Sequence, residues 1–544
     1  MNTIPPESPS LWDCLIVTAA NDRQAAAYEA QIRLRREMGL LPQVRDFLVI
    51  ADRDGRRIGS GGSTLQCLDK VLERESQPGD GLGDGRRAEA ILSRLRILIV
   101  HAGGDSRRLP AYSPCGKIFI PLPAITQPKT GSTLFDRLVP AFLALPAGAP
   151  GAGQVVVAAG DALIRFDPAA VHFGAPGITA LGAPASPQEA ARHGVLCPNR
   201  DGSVRLYLQK PDVPTQTATG AIGPDGRSVL DIGIMSLDAA AAARLLQAFW
   251  TPPARAAILS HGIDLYREIC CALGTEATFA HYVKTARSSK SAVGEAVLES
   301  LFAALRPIPL NVRVLDECSF LHFGSTSQLI SSGLELLTQD RGAPPPTTIL
   351  DIDNDVQANG SIAGQEVWVE GCRLRAPLVL RGRNVVVGVD VLDPLELPPG
   401  ACLDVSSGLD RKGDKVCFIR CCGVDDTFKR SLAEGATFCG EPLAEWLRAV
   451  GVPLSSIWDD QTPEPERTLW NARVFPAEQE CGAFRRWLWM FDVSSATPEQ
   501  KTAFLSADRY SSNEIAARAD QAAFHARRAR VSGYAGVDAA AREP

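Results

Sequence analysis

The chain has 544 residues, of which 45% are hydrophobic and 22% charged, a composition typical of a globular protein with two to four domains. Its formal net charge of −6 argues against general nucleic-acid binding, so an anionic ligand must be held by a few placed cations and backbone amides. Neither a membrane span nor a signal peptide is predicted. The 14 cysteines are scattered and form no CxxC pair, which favours reduced thiols and a cytoplasmic location.

Strand and helix patterns alternate over residues 1–310. Strands are predicted for DCLIVTAAN (13–21), DFLVIAD (46–52), RILIVHAGG (96–104), GQVVVAAGD (153–161), SVRLYLQKP (203–211) and VLDIGIMSL (229–237). Helices are predicted for RQAAAYEAQIRLRREMG (23–39) and RRAEAILSRL (86–95). This alternation predicts an α/β, Rossmann-like domain with a largely parallel sheet, and ligands at the carboxyl ends of its strands.

A six-residue period replaces this alternation in the next stretch. The residues that carry it are Leu350, Val356, Ile362, Trp368, Leu374, Leu380, Val386 and Leu392. Large apolar residues at this spacing predict a parallel β-helix within residues 311–424, with an ordinary β-rich domain as the alternative. We expect it to serve packing or assembly, since no acyltransferase signal accompanies it.

The last part of the chain, residues 425–544, is predicted to be mostly helical with a loose tail. The helical patterns are FKRSLAEG (428–435), PLAEWLRAVG (442–451), FRRWLWMFD (484–492), PEQKTAFL (498–505) and NEIAARADQAAFHARRARV (513–531). They carry no recognisable chemistry.

Two glycine-rich segments are candidates for binding a nucleotide. IGSGGST (58–64), with Gly61 and Gly62, lacks both the third glycine of GxGxxG and the GK[ST] of a P-loop, so a simple turn is the alternative. HAGGDSRRLP (101–110) is more specific, because it follows a strongly apolar strand and ends in two arginines. Gly103 and Gly104 let backbone amides approach an anion, and Ser106 is a nucleotide-binding candidate in the same loop.

Charged side chains extend this second segment. Arg107 and Arg108 can hold a triphosphate together with the amides, and Lys117 adds a point charge nine residues after Arg108. The alternative is a surface turn with solvated arginines.

HAGGDSRRLP followed by Lys117 resembles the sugar-nucleotidyltransferase signature GGxGTRLxP followed by a lysine, with Ser106 and Arg107 replacing the usual Gly and Thr. Together with GSGGST, HGV, LQKP, LDIGI, DLY and FLHFGS, it resembles the fucose-1-phosphate guanylyltransferase (GDP-L-fucose pyrophosphorylase) family over residues 10–510. The resemblance implies a nucleotidyltransferase-type sheet domain and the joining of GTP to L-fucose 1-phosphate with release of pyrophosphate. No sugar-kinase motif follows residue 425, so the resemblance implies a separate sugar kinase upstream.

The resemblance also implies roles for individual residues. Arg108 and Lys117 would be catalytic, and Asp161 and Asp231 would bind Mg²⁺, although an Asp after a strand is often a turn former or helix cap. Lys210 of LQKP would contact the sugar phosphate. In HGV, Gly194 would let the chain approach the sugar and His193 would hydrogen-bond a sugar hydroxyl, although a lone histidine is often structural. The open alternatives are a guanylyl- or uridylyltransferase for another sugar 1-phosphate, and a non-catalytic nucleotide-sugar-binding protein.

Overall fold

The computed structural model describes residues 11–76, 84–104, 106–125 and 132–531. Contacts divide the chain into two compact units. The first comprises Met1–Gly104, Leu138–Gly160 and Ile164–Phe320, and the second comprises Asp105–Arg137, Asp161–Leu163 and Leu321–Pro544. The chain therefore passes from the first unit to the second inside the HAGGDSRRLP segment. The predicted stretches 1–310, 311–424 and 425–544 did not anticipate that 105–137 belongs with the C-terminal part.

The first ten strands are β1 (Trp12–Ala19), β2 (Val44–Ala51), β3 (Arg96–His101), β4 (Gln154–Ala159), β5 (Ala162–Phe166), β6 (Ile178–Ala185), β7 (Gly194–Pro198), β8 (Val204–Gln209), β9 (Ser228–Leu237) and β10 (Leu310–Val314). The first ten helices are α1 (Asp22–Glu37), α2 (Gly59–Glu75), α3 (Gly85–Leu92), α4 (Leu134–Leu143), α5 (Pro187–Ala190), α6 (Val213–Ala218), α7 (Ala239–Phe249), α8 (Pro252–His261), α9 (Phe279–Ser288) and α10 (Glu295–Leu305).

The later strands are β11 (Cys318–His322), β12 (Ile349–Ile352), β13 (Asp355–Val356), β14 (Ser361–Ala363), β15 (Val367–Glu370), β16 (Arg373–Leu374), β17 (Pro377–Leu380), β18 (Val385–Val387), β19 (Asp390–Val391), β20 (Leu395–Leu397), β21 (Ala401–Leu409), β22 (Lys415–Gly423), β23 (Thr437–Phe438), β24 (Glu441–Pro442), β25 (Phe475–Glu478) and β26 (Arg509–Tyr510). The later helices are α11 (Thr326–Arg341), α12 (Leu443–Val450), α13 (Pro498–Ser506), α14 (Ser512–Arg518) and α15 (Gln521–Val531). None of the described helices has the length and apolarity needed to cross a membrane.

The first unit is built on a nine-stranded sheet with the order β10-β6-β9-β4-β3-β1-β2, to which β7 and β8 are added beside β9. All six predicted strands are confirmed, and both predicted helices form as α1 and α3. Strands β1–β4 run parallel to one another, but β9 runs antiparallel to its two neighbours β4 and β6. The sheet is therefore mixed and not largely parallel as predicted. The sequence did not reveal this, because a buried strand has the same apolar pattern whichever way it runs.

Three short parallel sheets organise the middle of the second unit. The first is the parallel part β12-β15-β18-β21 of a seven-stranded sheet, which continues with the antiparallel strands β22, β25 and β26. The other two are the three-stranded sheets β13-β16-β19 and β14-β17-β20. In the first sheet Leu350 lies opposite Trp368, and Trp368 lies opposite Val385. The first repeat is thus 18 residues and the second is 17.

The shorter second repeat explains where the six-residue period fails. Val391, not Leu392, pairs with Leu374, so Leu392 is displaced by one position and is 57% exposed. Such a slip moves a side chain to the opposite face of a strand. Val356, in the edge strand β13, is 44% exposed. Five of the eight periodic residues are buried as predicted, namely Leu350, Trp368, Leu374, Leu380 and Val386.

The C-terminal region is less helical than predicted. FKRSLAEG forms turns in place of a helix, because the backbone N–H of Glu434 bonds to Ser431 O and Gly435 takes a left-handed φ of 78°. The aromatic run becomes a 3₁₀ helix over Cys481–Phe491. Helices α12–α15 confirm the other patterns, and residues 532–544 of the tail lie outside the described residues.

One cysteine pair departs from the prediction of reduced thiols. Cys417 in β22 and Cys481 form a disulfide, with their Cα atoms 5.1 Å apart. The antiparallel pairing of β22 with β25 causes this, because it places Cys417 opposite Glu478, three residues before Cys481. The other twelve cysteines are free, and ten of them are buried.

Candidate functional site

The loop after β3 begins in the first unit, at the carboxyl end of the sheet. The Thr18 hydroxyl of β1 accepts hydrogen bonds from the backbone N–H groups of Ala102 and Gly103, at 3.1 and 3.2 Å. The Gln24 side chain bonds to Ala20 N–H and to Gly104 O. The amide of Gly103 is therefore used internally, and Gly104 is the residue that turns the loop.

Gly104 has the backbone conformation that requires glycine. Its φ is 124°, which side-chain-bearing residues rarely adopt, although a Cβ there would meet no atom within 4 Å. Thr18 and Gln24, which hold this loop, were not among the residues predicted for the site. The signal was a single polar residue, Thr18, in the otherwise apolar run CLIVTAA (14–20).

The GSGGST segment is the first turn of helix α2, not a loop. Added Cβ atoms at Gly61 and Gly62 would lie 3.0–3.1 Å from isoleucine side chains, including those of Ile263 and Ile258. The backbone N–H of Gly62 already donates to Ile263 O at 3.1 Å. Both glycines thus allow close packing of α2, and nothing in this geometry points to a nucleotide.

Gly194, Tyr207 and Asp231 form a buried polar cluster in the first unit. The Tyr207 hydroxyl donates to Asp231 Oδ2 at 2.7 Å, and Gly233 N–H donates to Oδ1 at 2.8 Å. A Cβ on Gly194 would lie 1.9 Å from the Tyr207 hydroxyl, so this glycine makes room for that tyrosine. Burial raises the pKa of Asp231 to about 6, against the bonds from Gly233 and Tyr207 that lower it.

Lys210 lines an open cavity of about 720 Å³ in the first unit. Its lining is rich in cationic side chains, including Arg267, and also contains Asp264. Asp264 accepts bonds from the N–H groups of Tyr266 and Arg267 and from the Ser60 hydroxyl. The predicted sugar-phosphate lysine is therefore exposed in a space large enough for a small phosphorylated ligand.

His193 lies at the turn before β7. Its ring stacks on Phe320 with centroids 6.3 Å apart, and its carbonyl accepts the backbone N–H of Lys210 at 2.9 Å. The HGV and LQKP segments are thus joined by a direct backbone bond. The predicted contact of His193 with a sugar hydroxyl stays a prediction.

Arg108 lies in the second unit and is held by the start of helix α11. Its carbonyl accepts the backbone N–H of Thr326 at 3.1 Å. Gly324 lies beside its guanidinium, since a Cβ there would be 3.6 Å from Arg108 Nη2. The FLHFGS motif therefore supports the exposed Arg108, a role that its sequence alone did not indicate. Ser106 is buried with a φ of 52°, and Arg107 is half-buried.

Lys117 and Asp161 are brought together in the second unit, 44 positions apart in the sequence. Lys117 follows Gly116, whose φ is 67°, and begins a 3₁₀ turn. Its Nζ lies 4.0 Å from Asp161 Oδ2, with side chains 18% and 60% exposed. A poorly exposed ammonium beside an accessible carboxylate can bind a phosphate together with the cation that accompanies it.

The two predicted metal ligands differ in their fit to Mg²⁺. Asp161 is accessible, and Mg²⁺ is commonly held by one or two carboxylates together with substrate phosphates. Asp231 is 6% exposed and both of its oxygens accept hydrogen bonds, so it does not fit a ligand in this arrangement. The described residues contain no group of three or more His, Cys, Asp or Glu that could hold a metal ion by themselves.

Comparison with known proteins places these residues in a family context. A family model described as "Fucose pyrophosphorylase domain" matches residues 89–480. A bifunctional fucokinase/GDP-fucose pyrophosphorylase of Arabidopsis thaliana is 27% identical over 90% of this chain and 49% of its own length. An L-fucokinase/L-fucose-1-P guanylyltransferase of Bacteroides fragilis is 26% identical over 89% and 48%, respectively.

A shorter relative matches over most of both chains. A fucose-1-phosphate guanylyltransferase of Homo sapiens is 27% identical over 86% of this chain and 81% of its own. The chain thus spans about half the length of the two bifunctional relatives. The family model covers the HAGGDSRRLP segment, Lys117, Asp161 and Lys210.

Proposed function

Because this chain belongs to the fucose pyrophosphorylase family, we propose that it joins L-fucose 1-phosphate to GTP and releases pyrophosphate. A phosphate oxygen of the sugar attacks the α-phosphorus of GTP, and the bond from that phosphorus to the bridging oxygen of pyrophosphate breaks. GDP-L-fucose is the other product. The main support for this proposal is the short distance between Lys117 and Asp161. It brings together an ammonium for the triphosphate and a carboxylate for the cation that accompanies it.

Catalysis in such a reaction consists of placing the reactants and neutralising phosphate charge. Arg108 and Lys117 offset the negative charge that grows on the α-phosphate and on the leaving pyrophosphate. The half-buried Arg107 and the backbone at Ser106 bind the same polyphosphate chain. No covalent enzyme intermediate is required.

Magnesium is the cation that we propose for this site, with Asp161 as the residue that holds it. When bound, Mg²⁺ neutralises phosphate charge and orients the triphosphate. Asp161 is accessible enough to reach a cation that also contacts phosphate oxygens, whereas Asp231 maintains the interior around Tyr207.

Lys210 is our candidate for contacting the sugar phosphate, and His193 is our candidate for contacting a sugar hydroxyl. Lys210 lies on the surface of the 720 Å³ cavity, and its backbone bond to His193 fixes the spacing of the two residues. An ammonium at this position supplies a point charge for a phosphate monoester. The kinase reaction that supplies the sugar 1-phosphate stays a prediction, as does the cytoplasmic location.

The three parallel sheets of the second unit support a further structural proposal. Their strands follow one another in the chain as one strand from each sheet per repeat, with pairing repeats of 18 and 17 residues in the first sheet. We propose that they are the three faces of a short parallel β-helix that serves packing.

A substrate screen tests the proposed activity. The purified chain is mixed with GTP, UTP, ATP or CTP, with magnesium and one of several sugar 1-phosphates, and pyrophosphate release is followed. GTP with L-fucose 1-phosphate should give the highest kcat/KM. Pyrophosphate release with UTP alone, or a preference for another sugar 1-phosphate, would show that the chain is a different nucleotidyltransferase. GTP binding without turnover would show that it is a non-catalytic binding protein.

A matched pair of arginine variants tests the assigned site. Arg108→Ala should lower kcat by at least about a hundredfold, the usual scale for removing a charge contact in the transition state. Arg375→Ala, an exposed arginine of the same unit, should leave kcat unchanged. Equal activity of the two variants would show that Arg108 does not act on the phosphates.

A further inference from the structure

A buried ion pair links the C-terminal helix α15 to strand β15 in the second unit. Arg528 donates from Nε and Nη2 to the two carboxylate oxygens of Glu370, both at 2.7 Å. The side chains are 8% and 0% exposed. The neighbouring Arg527 bonds to Gly371 O at 2.6 Å and to the Asp390 carboxylate, so consecutive arginines attach the helix.

Glu370 is bonded in turn to the segment that carries Lys117. The fully buried Tyr112 donates its hydroxyl to Glu370 Oε2 at 3.2 Å and accepts a bond from Trp368 Nε1 at 2.6 Å. Tyr112 lies between Arg108 and Lys117 in the sequence. Its backbone N–H and carbonyl bond to Leu109 O and Gly116 N–H within the same series of turns.

Helix α15 makes aromatic contacts with residues that lie before and after Lys117 in the sequence. Phe524 meets the Tyr112 ring edge-to-face with centroids 6.4 Å apart, and His525 meets Phe119 in the same way at 6.3 Å. Tyr112 precedes Lys117 by five residues, and Phe119 follows it by two. The same short helix therefore packs on residues before and after the lysine.

Such a cluster is costly if its only purpose is stability. Replacing a buried ion pair by apolar residues is often neutral or stabilising, so the pair is weak evidence for stability, and fixing one geometry is the role that we assign to it. Arg528 makes two parallel bonds to Glu370, and the Tyr112 hydroxyl both donates and accepts a bond. Together these bonds fix the position of the turn that contains Tyr112.

We propose that Arg528 is a positioning residue which, through Glu370 and Tyr112, sets the place of Lys117 and so governs turnover. Helix α15 lies beyond residues 89–480, the part that the family model covers. The inference rests on the proposed function for its kinetic part only. It makes the C-terminal helix part of the catalytic apparatus without contact to substrate.

Arginine-to-lysine variants of two buried pairs separate positioning from stability. Arg528→Lys loses the fork to Glu370, and Arg420→Lys loses an equivalent fork to Asp404 in β21, whose bonds are 2.7–3.0 Å. Arg420 is also fully buried but bonds to no residue of the 106–120 segment. Tyr112→Phe removes only one hydroxyl and covers the case in which Arg528→Lys does not fold.

The expected kinetic result is a selective fall in kcat. Arg528→Lys and Tyr112→Phe should lower kcat at least about tenfold with KM for both substrates within about twofold, since misplacement by about 1 Å costs up to a hundredfold. Arg420→Lys should keep kcat within about twofold. Folded variants of Arg528 and Tyr112 with the kcat of Arg420→Lys would overturn the proposal.

Amide hydrogen exchange provides a readout that does not depend on the activity. Residues 110–120 should exchange at least about tenfold faster in Arg528→Lys and Tyr112→Phe, and at the wild-type rate in Arg420→Lys. Unchanged exchange in the first two variants would also overturn the proposal. A wild-type chain that releases no pyrophosphate would refute the proposed function. Amide exchange of residues 110–120 would still test whether Arg528 positions this segment.

Discussion

Asp161 and Asp231 give the sharpest test of how the site is assigned, because they look alike in sequence and differ in structure. Asp161 is accessible beside Lys117, whereas Asp231 is buried and bonded to Gly233 and Tyr207. Replacing each by Asn removes the charge and keeps the shape. We expect Asp161→Asn to lower turnover strongly and Asp231→Asn to leave it nearly unchanged.

The pKa of Asp231 sets the size of the effect on stability. Burial raises that pKa from 3.8 to about 6. A raised pKa means that the folded state prefers the protonated acid, so this contribution to stability is complete below about pH 4 and is lost as the pH rises through about 6. At 1.36 kcal/mol for each pKa unit, the loss is on the order of 3 kcal/mol.

The assay combines unfolding and turnover. Urea unfolding at pH 4, 5.5 and 7.5 should show Asp231→Asn gaining stability over the wild type as the pH rises, because Asn carries no charge to bury. At pH 7.5 with magnesium, its kcat should stay within about threefold, while Asp161→Asn should lose at least about a hundredfold. A folded Asp231→Asn protein without turnover, or a pH-independent stability difference, would refute this reasoning.

Three other substitutions follow from the geometry. Gly194→Ala should destabilise the protein by about 1–3 kcal/mol in urea unfolding, since its Cβ would collide with the Tyr207 hydroxyl; unchanged stability would contradict the packing described. Gly104→Ala should lower the free energy of unfolding by more than about 1 kcal/mol because of its φ of 124°; unchanged stability in urea unfolding would contradict this backbone conformation. Lys117→Met should lower kcat for pyrophosphate release at least about a hundredfold, and activity within tenfold of the wild type would contradict its role.

The strands and helices predicted for the first unit followed from local patterns in the sequence. An apolar strand that ends in Gly103, Gly104 and two arginines is a local signal, and the strands around it were found in the same way. Strand direction was not available from such patterns, because nothing in the sequence of β9 indicates that it runs antiparallel to β4 and β6. Gly61 and Gly62 show the same limit, since a glycine cluster that admits a ligand looks like one that admits an isoleucine.

Long-range partners were beyond local reasoning. The bond between Tyr112 and Glu370 spans 258 positions, and that between Glu370 and Arg528 spans 158. A single polar residue in an apolar run, such as Glu370 in VWVE, indicates only that some partner must exist. In the same region, a repeat shortened by one residue exposes Leu392, which a fixed period of six cannot anticipate.

A crystal structure with GTP and magnesium tests the central claim most directly. The account predicts the triphosphate within hydrogen-bond distance of Arg108 and Lys117, with the metal ion on Asp161. A nucleotide bound elsewhere, away from residues 103–117, would contradict it.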